Sequence, residues 1–205
     1  TLDGSEPTSE SKVYEGPIYL SGNTCVKAIV TDKGKQILET PTVKSFRVNK
    51  ATGCSYTLST DTWSLDWYDV KPALLTDGVQ GFIPSNSEWA AVVSGVEIVI
   101  DLRENITVSG VGFGTMIAPI NSMLPVKSME CYLSTDGKEY QSIGQSTFSY
   151  PIYKGMKEIY HNYVNTNGKE GRYLKLVING QTELPADFPY PNGSASIALD
   201  EIEVY

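Results

Sequence analysis

Alternation of apolar and polar side chains recurs along the chain, whereas helical periodicity is nearly absent. Apolar residues occupy every second position at 26–30, 96–102 and 174–178. This two-residue period is typical of strands that place one face on a core. Turn-forming dipeptides separate the apolar runs: Asp3-Gly4, Lys33-Gly34, Asp77-Gly78, Asp136-Gly137 and Asn167-Gly168. Many short strands joined by such turns predict an all-β chain built from β-sandwiches.

A polar, turn-forming stretch at 49–53 indicates a domain boundary, because a new strand pattern begins near Cys54. We therefore predict a first domain at 1–50 and a second at 51–205. About fifty residues supply only about four short strands, which is few for a sandwich. We expect the first domain to be partial, with a strand or two missing upstream.

Composition and charge exclude several classes of partner. The 205 residues are 40% hydrophobic and 10% aromatic, which is ordinary for a globular protein. The net charge is −8, and no basic run is present, so neither nucleic acid nor an anionic membrane surface is an expected partner. No apolar stretch approaches the roughly 18 residues that a membrane span needs.

Three cysteines, Cys25, Cys54 and Cys131, do not form the even set that a disulfide framework needs, and their spacing fits no zinc site. Cys131 alternates in register with Met129 and Leu133, which predicts a small buried apolar residue. A Cys54–Cys131 disulfide is the alternative.

The opening residues Thr1-Leu-Asp-Gly-Ser-Glu-Pro-Thr8 resemble a motif of the small immunoglobulin-like domain near the end of chitobiases and bacterial β-hexosaminidases. The resemblance continues through Tyr14-Glu-Gly-Pro17 and Val26-Lys-Ala28 and covers about 1–48. It implies a partial immunoglobulin-like β-sandwich that serves as an accessory spacer without catalytic residues.

The rest of the chain resembles the discoidin family (coagulation factor 5/8 type C), which includes family 32 carbohydrate-binding modules. The matching segments, in the family's order, are Leu75-Thr-Asp-Gly78, Val99-Ile-Asp-Leu102, Leu133-Ser-Thr-Asp-Gly-Lys138, Gly171-Arg-Tyr-Leu-Lys-Leu176 and Leu199-Asp-Glu-Ile-Glu-Val-Tyr205. The resemblance implies an eight-stranded, galactose-binding-like jelly roll. The chain departs from the family at 77–84, which lacks its Thr and Trp, and at Arg103, where the family has glycine.

This resemblance also implies a structural Ca²⁺ between the Asp77 loop and the last strand. The side chains of Asp77 and Glu201 would be ligands, and the carbonyls near Leu74 and Gln80, with Ser85, would complete the oxygen shell. Alternation in the last strand places Asp200 on the core face, so either a bulge turns it outward or a cation compensates its charge. In the alternative reading, Asp77 only caps a turn and Glu201 is solvated.

Two groups of residues are candidates for binding sugar. We predict a long loop from Tyr150 to Gly171, and loops of that length are often functional. It carries aromatic faces, an amide and the one histidine of the chain at Tyr160, His161, Asn162 and Tyr163. The second group is Trp67 and Tyr68, just before the Asp77 loop. In the alternative reading, residues 150–171 form a surface hairpin whose tyrosines cover the sandwich.

Together these features predict a non-catalytic, carbohydrate-binding accessory region of a secreted glycoside hydrolase similar to β-N-acetylhexosaminidases. It would bind GlcNAc- or Gal-containing glycans outside the cytoplasm, beside a catalytic domain of the same polypeptide. The pair Asp200-Glu201 resembles the Asp-Glu pair of family 20 hexosaminidases, but this chain has no room for an α/β barrel. The alternative function is a structural or protein-interaction β-sandwich that supports the catalytic domain.

Overall fold

The computed structural model describes residues 1–59, 73–83, 88–153, 155–181 and 195–205. Throughout these residues the regular structure is strand, apart from a short 3-10 turn at Pro119–Asn121, so the all-β prediction is confirmed. The strands are β1 (Thr24–Ala28), β2 (Thr31–Asp32), β3 (Lys35–Gln36), β4 (Thr42–Phe46), β5 (Ser55–Ser59), β6 (Ala90–Val93), β7 (Gly95–Ile117), β8 (Val126–Ser134), β9 (Gln141–Thr147), β10 (Glu158–Gly180) and β11 (Ser196–Val204). The described part of the chain has no helix long and apolar enough to cross a membrane.

We call residues 1–50 the first unit and residues 51–205 the second unit. One seven-stranded sheet dominates the second unit. Its order is β6-β11-β7-β10-β8-β9, with β5 also paired to β7, and all of these pairs are antiparallel. The strands β7 and β10 have 23 residues each and pair along almost their whole length. The first half of β7 also pairs with β5 and its second half with β11. This strand therefore connects two parts of the sheet that have different edge partners.

Apolar side chains from both halves of the long strands belong to a single buried cluster. Beside the first half of β7 they are Ile98 and Ile100 of β7 with Leu174 and Leu176 of β10, and beside its second half they are Val111 and Phe113 of β7 with Ile202 and Val204 of β11. Because one cluster contains both sets, the two halves must face each other across one core, as in a β-sandwich.

The predicted long loop at 150–171 is wrong, because β10 already begins at Glu158. Asn167-Gly168 reads as a hairpin turn in the sequence, yet it lies within β10. Both residues adopt positive φ, 57° and 66°, where the register with β7 skips between Asn165 and Lys169. The dipeptide therefore forms a bulge inside a continuous strand instead of ending it.

The Cys54–Cys131 disulfide is also wrong, since all three cysteines carry free thiols. Cys131 is fully buried in the main core, and burial raises the pKa of its thiol to about 12. It behaves as the small apolar residue that its position in β8 predicts.

The first unit, 1–50, contains one buried residue, Pro7. It contains two small antiparallel sheets, β1 paired with β4 and β2 paired with β3, and the backbone of Thr1 exchanges hydrogen bonds with Lys27. A unit without a core of its own gains little from apolar burial. Contacts with the second unit, such as the ion pair of Lys44 with Glu88, add to the few interactions within it.

Leu176→Ala tests the shared core. Leu176 is fully buried in the main core near the end of β10, so we expect its truncation to lower the free energy of unfolding by about 2–5 kcal/mol. The matched control is Val43→Ala on β4, where the side chain is 49% exposed. Urea unfolding of the full chain measures both, and equal losses would contradict a core centred on β10.

A surface ion pair lies where the register of β7 with β10 is interrupted, between Gly171 and Tyr173. Arg172 donates from Nε and Nη2 to the two carboxylate oxygens of Asp101, at 2.7 and 2.8 Å. The same carboxylate accepts from the backbone N–H of Arg103, which has a φ of 74° at the position where the discoidin family has glycine. The hydrogen bonds from Arg172, first of all, lower the pKa of Asp101 to about 2.

Asp101→Asn should therefore lower stability in a pH-dependent way. The lowered pKa means that the stabilisation is present above the pKa of about 3.9 of an unfolded aspartate, and is lost as pH falls through about 2. We expect a constant difference from wild type between about pH 5 and 8, shrinking below about pH 4. Denaturant unfolding across this range measures it. Asp32→Asn, in the exposed hairpin, is the control.

Candidate cation site and candidate carbohydrate-binding surface

A bulge in β11 determines where the two carboxylates of the last strand point. Leu199 pairs with Thr115 and Ile202 pairs with Phe113, so Asp200 and Glu201 together stand opposite Gly114. Leu199 and Ile202 both lie in the core cluster. The extra residue turns both carboxylates to the outer face of the sheet, so the bulge alternative for Asp200 is confirmed.

Asp200 is 1% exposed and lies directly over Gly114. Its carboxylate accepts hydrogen bonds from the backbone N–H groups of Gly114 at 2.8 Å and Gly81 at 2.9 Å. Burial raises the pKa of Asp200 to about 6. A Cβ at residue 114 would collide with this carboxylate, so only glycine leaves room for it.

Glu201 is equally buried, at 1% exposure, and is therefore not a solvated side chain. Its Oε1 accepts from Asn49 Nδ2 at 3.3 Å, and the backbone N–H of Gly78 also favours its charged form. Its Oε2 has no hydrogen-bond partner among the described residues. Burial, reinforced by the negative charge of Asp77, raises the pKa of Glu201 to about 8. A buried acceptor beside a second carboxylate is a costly arrangement unless a proton or a cation compensates it.

The two predicted carboxylate ligands, Asp77 and Glu201, lie near enough for the charge of one to act on the other. Asp77 does cap its turn, accepting from the N–H of Val79 at 2.8 Å, and its charge acts on Glu201. Leu74 and Gln80 lie three residues before and after Asp77 in the sequence, and Ser85 lies outside the described residues. No three His, Cys, Asp or Glu side chains cluster for a metal in the described ranges. Two carboxylates with carbonyl oxygens make a set suited to Ca²⁺.

Calcium should stabilise the wild-type chain through this site. We expect the melting temperature to be higher in about 1 mM calcium than in chelator, since a ligand that binds only the folded state stabilises it. Asp77→Asn and Glu201→Gln should remove most of the increase, whereas the exposed-site control Glu39→Gln should keep it. An equal increase in the Glu201→Gln variant would show that calcium binds elsewhere.

The four sugar-binding candidates on β10 divide between its two faces. Tyr160 and Asn162 share the face of Val164, which lies in the core, whereas His161 and Tyr163 point outward. The other two candidates, Trp67 and Tyr68, lie outside the described residues. The structure therefore offers two different surroundings for the predicted residues.

On the inner face, the polar groups are largely used within the protein. Tyr150 packs on Tyr160 with ring centroids 4.7 Å apart and donates its hydroxyl to Asn162 Oδ1. Tyr160 donates to Glu158 at 2.6 Å, and Tyr153 donates to the same carboxylate. These contacts fasten the segment that leads into β10, as the covering-hairpin alternative expects.

On the outer face, two tyrosine rings lie on a row of glycines. Tyr163 is 52% exposed and covers Gly110, where a Cβ would collide with its ring. Tyr205 is 42% exposed, and its Cε2 would lie 3.4 Å from a Cβ at Gly112. The ring centroids are 5.8 Å apart with an angle of 54° between the planes. Both rings thus rest against the sheet and remain partly open to solvent.

Polar groups adjoin the two rings. The Glu203 side chain is 9% exposed, and its Oε2 accepts a hydrogen bond from the Tyr205 hydroxyl. Its Oε1 lies 3.5 Å from Nη1 of Arg47. The exposed His161 lies two residues before Tyr163 on the same outward face of β10, where it pairs with Gly114. We call Tyr163, Tyr205, Glu203, Arg47 and His161 the outer tyrosine surface. Sequence reasoning missed Glu203 and Tyr205, although both alternate with the buried Ile202 and Val204.

The family model described as Fn3 associated matches residues 1–46, less than half of the chain. No curated protein matches the sequence.

Solved structures with similar architecture include carbohydrate-binding modules and the C-terminal domain of a chitobiase. The chitobiase domain, from Bacteroides fragilis, is 21% identical and covers 74% of this chain and 89% of its own, with a TM-score of 0.42. A chitosan-binding module of a chitosanase/glucanase from Paenibacillus sp. IK-5 is 14% identical over 78% and 99%, with 0.49. A CBM32 module of Clostridium perfringens, in complex with GalNAc-β-1,3-galactose, is 14% identical over 74% and 94%, with 0.43. Because all three TM-scores are below 0.5, the fold class rests on the strands of this chain.

Proposed function

We propose that the chain is a non-catalytic carbohydrate-binding accessory region that holds sugar on its outer tyrosine surface. The observation that carries the proposal is the pair of half-exposed rings of Tyr163 and Tyr205, which rest on glycine backbone and are flanked by charged groups. The alternative for Tyr163 is a packed role, and its 52% exposure favours binding.

The chemistry of the surface suits a neutral pyranose. An aromatic ring with one face against the protein and the other toward solvent can stack on the apolar C–H face of a sugar. The neighbouring Arg47 and His161 supply hydrogen-bonding groups for its hydroxyls. Because the surface is shallow and contacts few atoms, we expect affinities in the millimolar to micromolar range.

In this proposal the parent protein is a secreted glycoside hydrolase similar to β-N-acetylhexosaminidases, working outside the cytoplasm. The region would raise the local concentration of GlcNAc- or Gal-containing glycans near a catalytic domain of the same polypeptide. The support for this finer assignment is the resemblance of 1–48 to the chitobiase accessory domain and of the remainder to the discoidin family.

A structural or protein-interaction role is the second candidate. The observation that favours it is a set of hydrogen bonds within the protein. The hydroxyl of Tyr150 donates to Asn162, and those of Tyr153 and Tyr160 donate to Glu158. In that case the β-sandwich would support a catalytic domain without binding sugar.

Tyr163→Ala and Tyr205→Ala test the proposed function. Losing one stacking ring removes a contact on the order of 1.5–3 kcal/mol, so we expect glycan binding to weaken about tenfold or more. Tyr163→Phe keeps the ring and loses only the 3.3 Å hydrogen bond to the Ser109 carbonyl, so its affinity should change about twofold at most. The control is Tyr19→Ala, where the ring is 96% exposed in the first unit.

The measurement is a titration of the full chain, by calorimetry or NMR, with methyl glycosides of GlcNAc and galactose and with GalNAc-β-1,3-galactose. Thermal unfolding of each variant establishes that it is folded. Absence of wild-type binding to every sugar at millimolar concentration would favour the structural role. Binding that survives both tyrosine substitutions would place the sugar on another surface.

A further inference from the structure

The outer tyrosine surface includes one residue that does not come from the large sheet. Arg47 follows β4 of the first unit and precedes the turn at 49–53. Its guanidinium lies 3.5 Å from Glu203, and its positive charge acts on the Tyr205 hydroxyl against the effect of burial. The segment between the two units therefore contributes a charged group beside the two rings.

Contacts on both sides hold Arg47 in this position. On the side of the first unit, Lys44 forms a 3.0 Å ion pair with Glu88, whose side chain is 5% exposed, and Phe46 forms an antiparallel bridge with Val79. The backbone N–H of Arg47 itself donates to the Gly78 carbonyl at 2.7 Å. A buried charge with a partner resists displacement, so the first unit is docked where it presents Arg47.

On the other side, Asn49 ties the segment to the last strand. Its Oδ1 accepts from the N–H of Val204 at 3.1 Å, and Lys50 donates its N–H to the Val204 carbonyl at 3.1 Å. Arg47 is thus fixed two residues from a backbone anchor on β11, the strand that precedes Tyr205. A group held from both ends loses little conformational freedom when it binds a ligand.

The guanidinium keeps donors available for a ligand. Its side chain is 45% exposed, whereas that of Glu203 is 9% exposed. Arginine has five N–H donors, and the Glu203 contact engages one guanidinium nitrogen. The adjacent carboxylate compensates the charge of Arg47, so the surface favours a neutral acceptor oxygen over an anionic group.

Resting on the proposed function, we propose that Arg47 determines which sugar is bound, by donating a hydrogen bond to an acceptor oxygen of a neutral pyranose stacked on Tyr163 and Tyr205. The sugar site is then composite: the second unit supplies the rings, and the segment docked by the first unit supplies the discriminating donor. Glu203 acts as a positioning residue that orients Arg47 and Tyr205 together.

Arg47→Ala and Arg47→Lys in the full chain test the inference. The probes are the methyl glycosides of GlcNAc and galactose and their monodeoxy analogues. We expect Arg47→Ala to weaken the preferred glycoside about tenfold or more, and Arg47→Lys to recover part of that loss. One deoxy analogue lacks the acceptor oxygen, so wild type should bind it more weakly than the parent glycoside. Wild type and Arg47→Ala should bind this analogue with about equal affinity. Lys35→Ala on the exposed β3 is the control and should bind as wild type does.

A second pair of variants separates contact from docking. Lys44→Ala removes the ion pair to Glu88 without touching the proposed sugar surface, so it should weaken binding only by releasing Arg47. The double variant of Lys44 and Arg47 should then bind no more weakly than Arg47→Ala alone. Additive losses would show that the first unit acts independently of Arg47 and would overturn the composite site.

The two proposals fail in different ways. If wild type binds sugar and Tyr163→Ala does not, the proposed function stands. If Arg47→Ala then binds every glycoside and deoxy analogue as wild type does, the proposed role of Arg47 is wrong. If Arg47→Ala lowers the melting temperature as much as the affinity and Arg47→Lys recovers neither, Arg47 is structural and the inference is overturned. Absence of any wild-type binding removes the proposed function itself.

Discussion

The structure depends on the bulge that places Asp200 and Glu201 opposite the single residue Gly114. Without the extra residue, alternation would direct Asp200 into the apolar core, where an unpaired carboxylate costs several kcal/mol. With it, Asp200 is satisfied by two backbone N–H groups, and Glu201 reaches Asn49. The same shift restores the core register at Ile202. One inserted residue therefore closes the core and also builds the candidate cation site.

Glycine on the outer face of β7 is the second requirement of this arrangement. Gly114 leaves room for the Asp200 carboxylate, and Gly110 leaves room for the ring of Tyr163. A side chain at either position would push its neighbour away from the sheet. Glycine in a strand usually marks a close approach by another group, at a cost in strand stability. Here the close approach leaves the rings of Tyr163 and Tyr205 against the glycine backbone and about half exposed, so part of each ring remains open to a ligand.

Much of the fold is readable from the sequence, and the exceptions have physical reasons. Alternation identified the core faces at 96–102 and 174–178, because one buried face imposes a period of two. The same pattern failed at 158–171, where the inner face of β10 carries tyrosine, asparagine and glutamate instead of aliphatic residues. The Asn167-Gly168 pair then resembled a hairpin turn, although its positive φ angles serve a bulge. The same period of two along the last strand also predicts that Glu203 and Tyr205 face away from the core. The approach of Arg47 was not readable, because it results from docking between units.

That docking changes the meaning of the turn at 49–53, which in the sequence looks like a linker between domains. Asn49 bonds to the backbone of β11 and to Glu201, the candidate cation ligand, while Arg47 lies beside Glu203 on the same strand. The turn is therefore part of the second unit's structure. Because the first unit has almost no buried residues of its own, its position follows from this segment and from the Lys44–Glu88 pair. The cation site, the turn and the tyrosine surface consequently share the few residues of β11, so we expect a substitution in one to alter the others through these direct contacts.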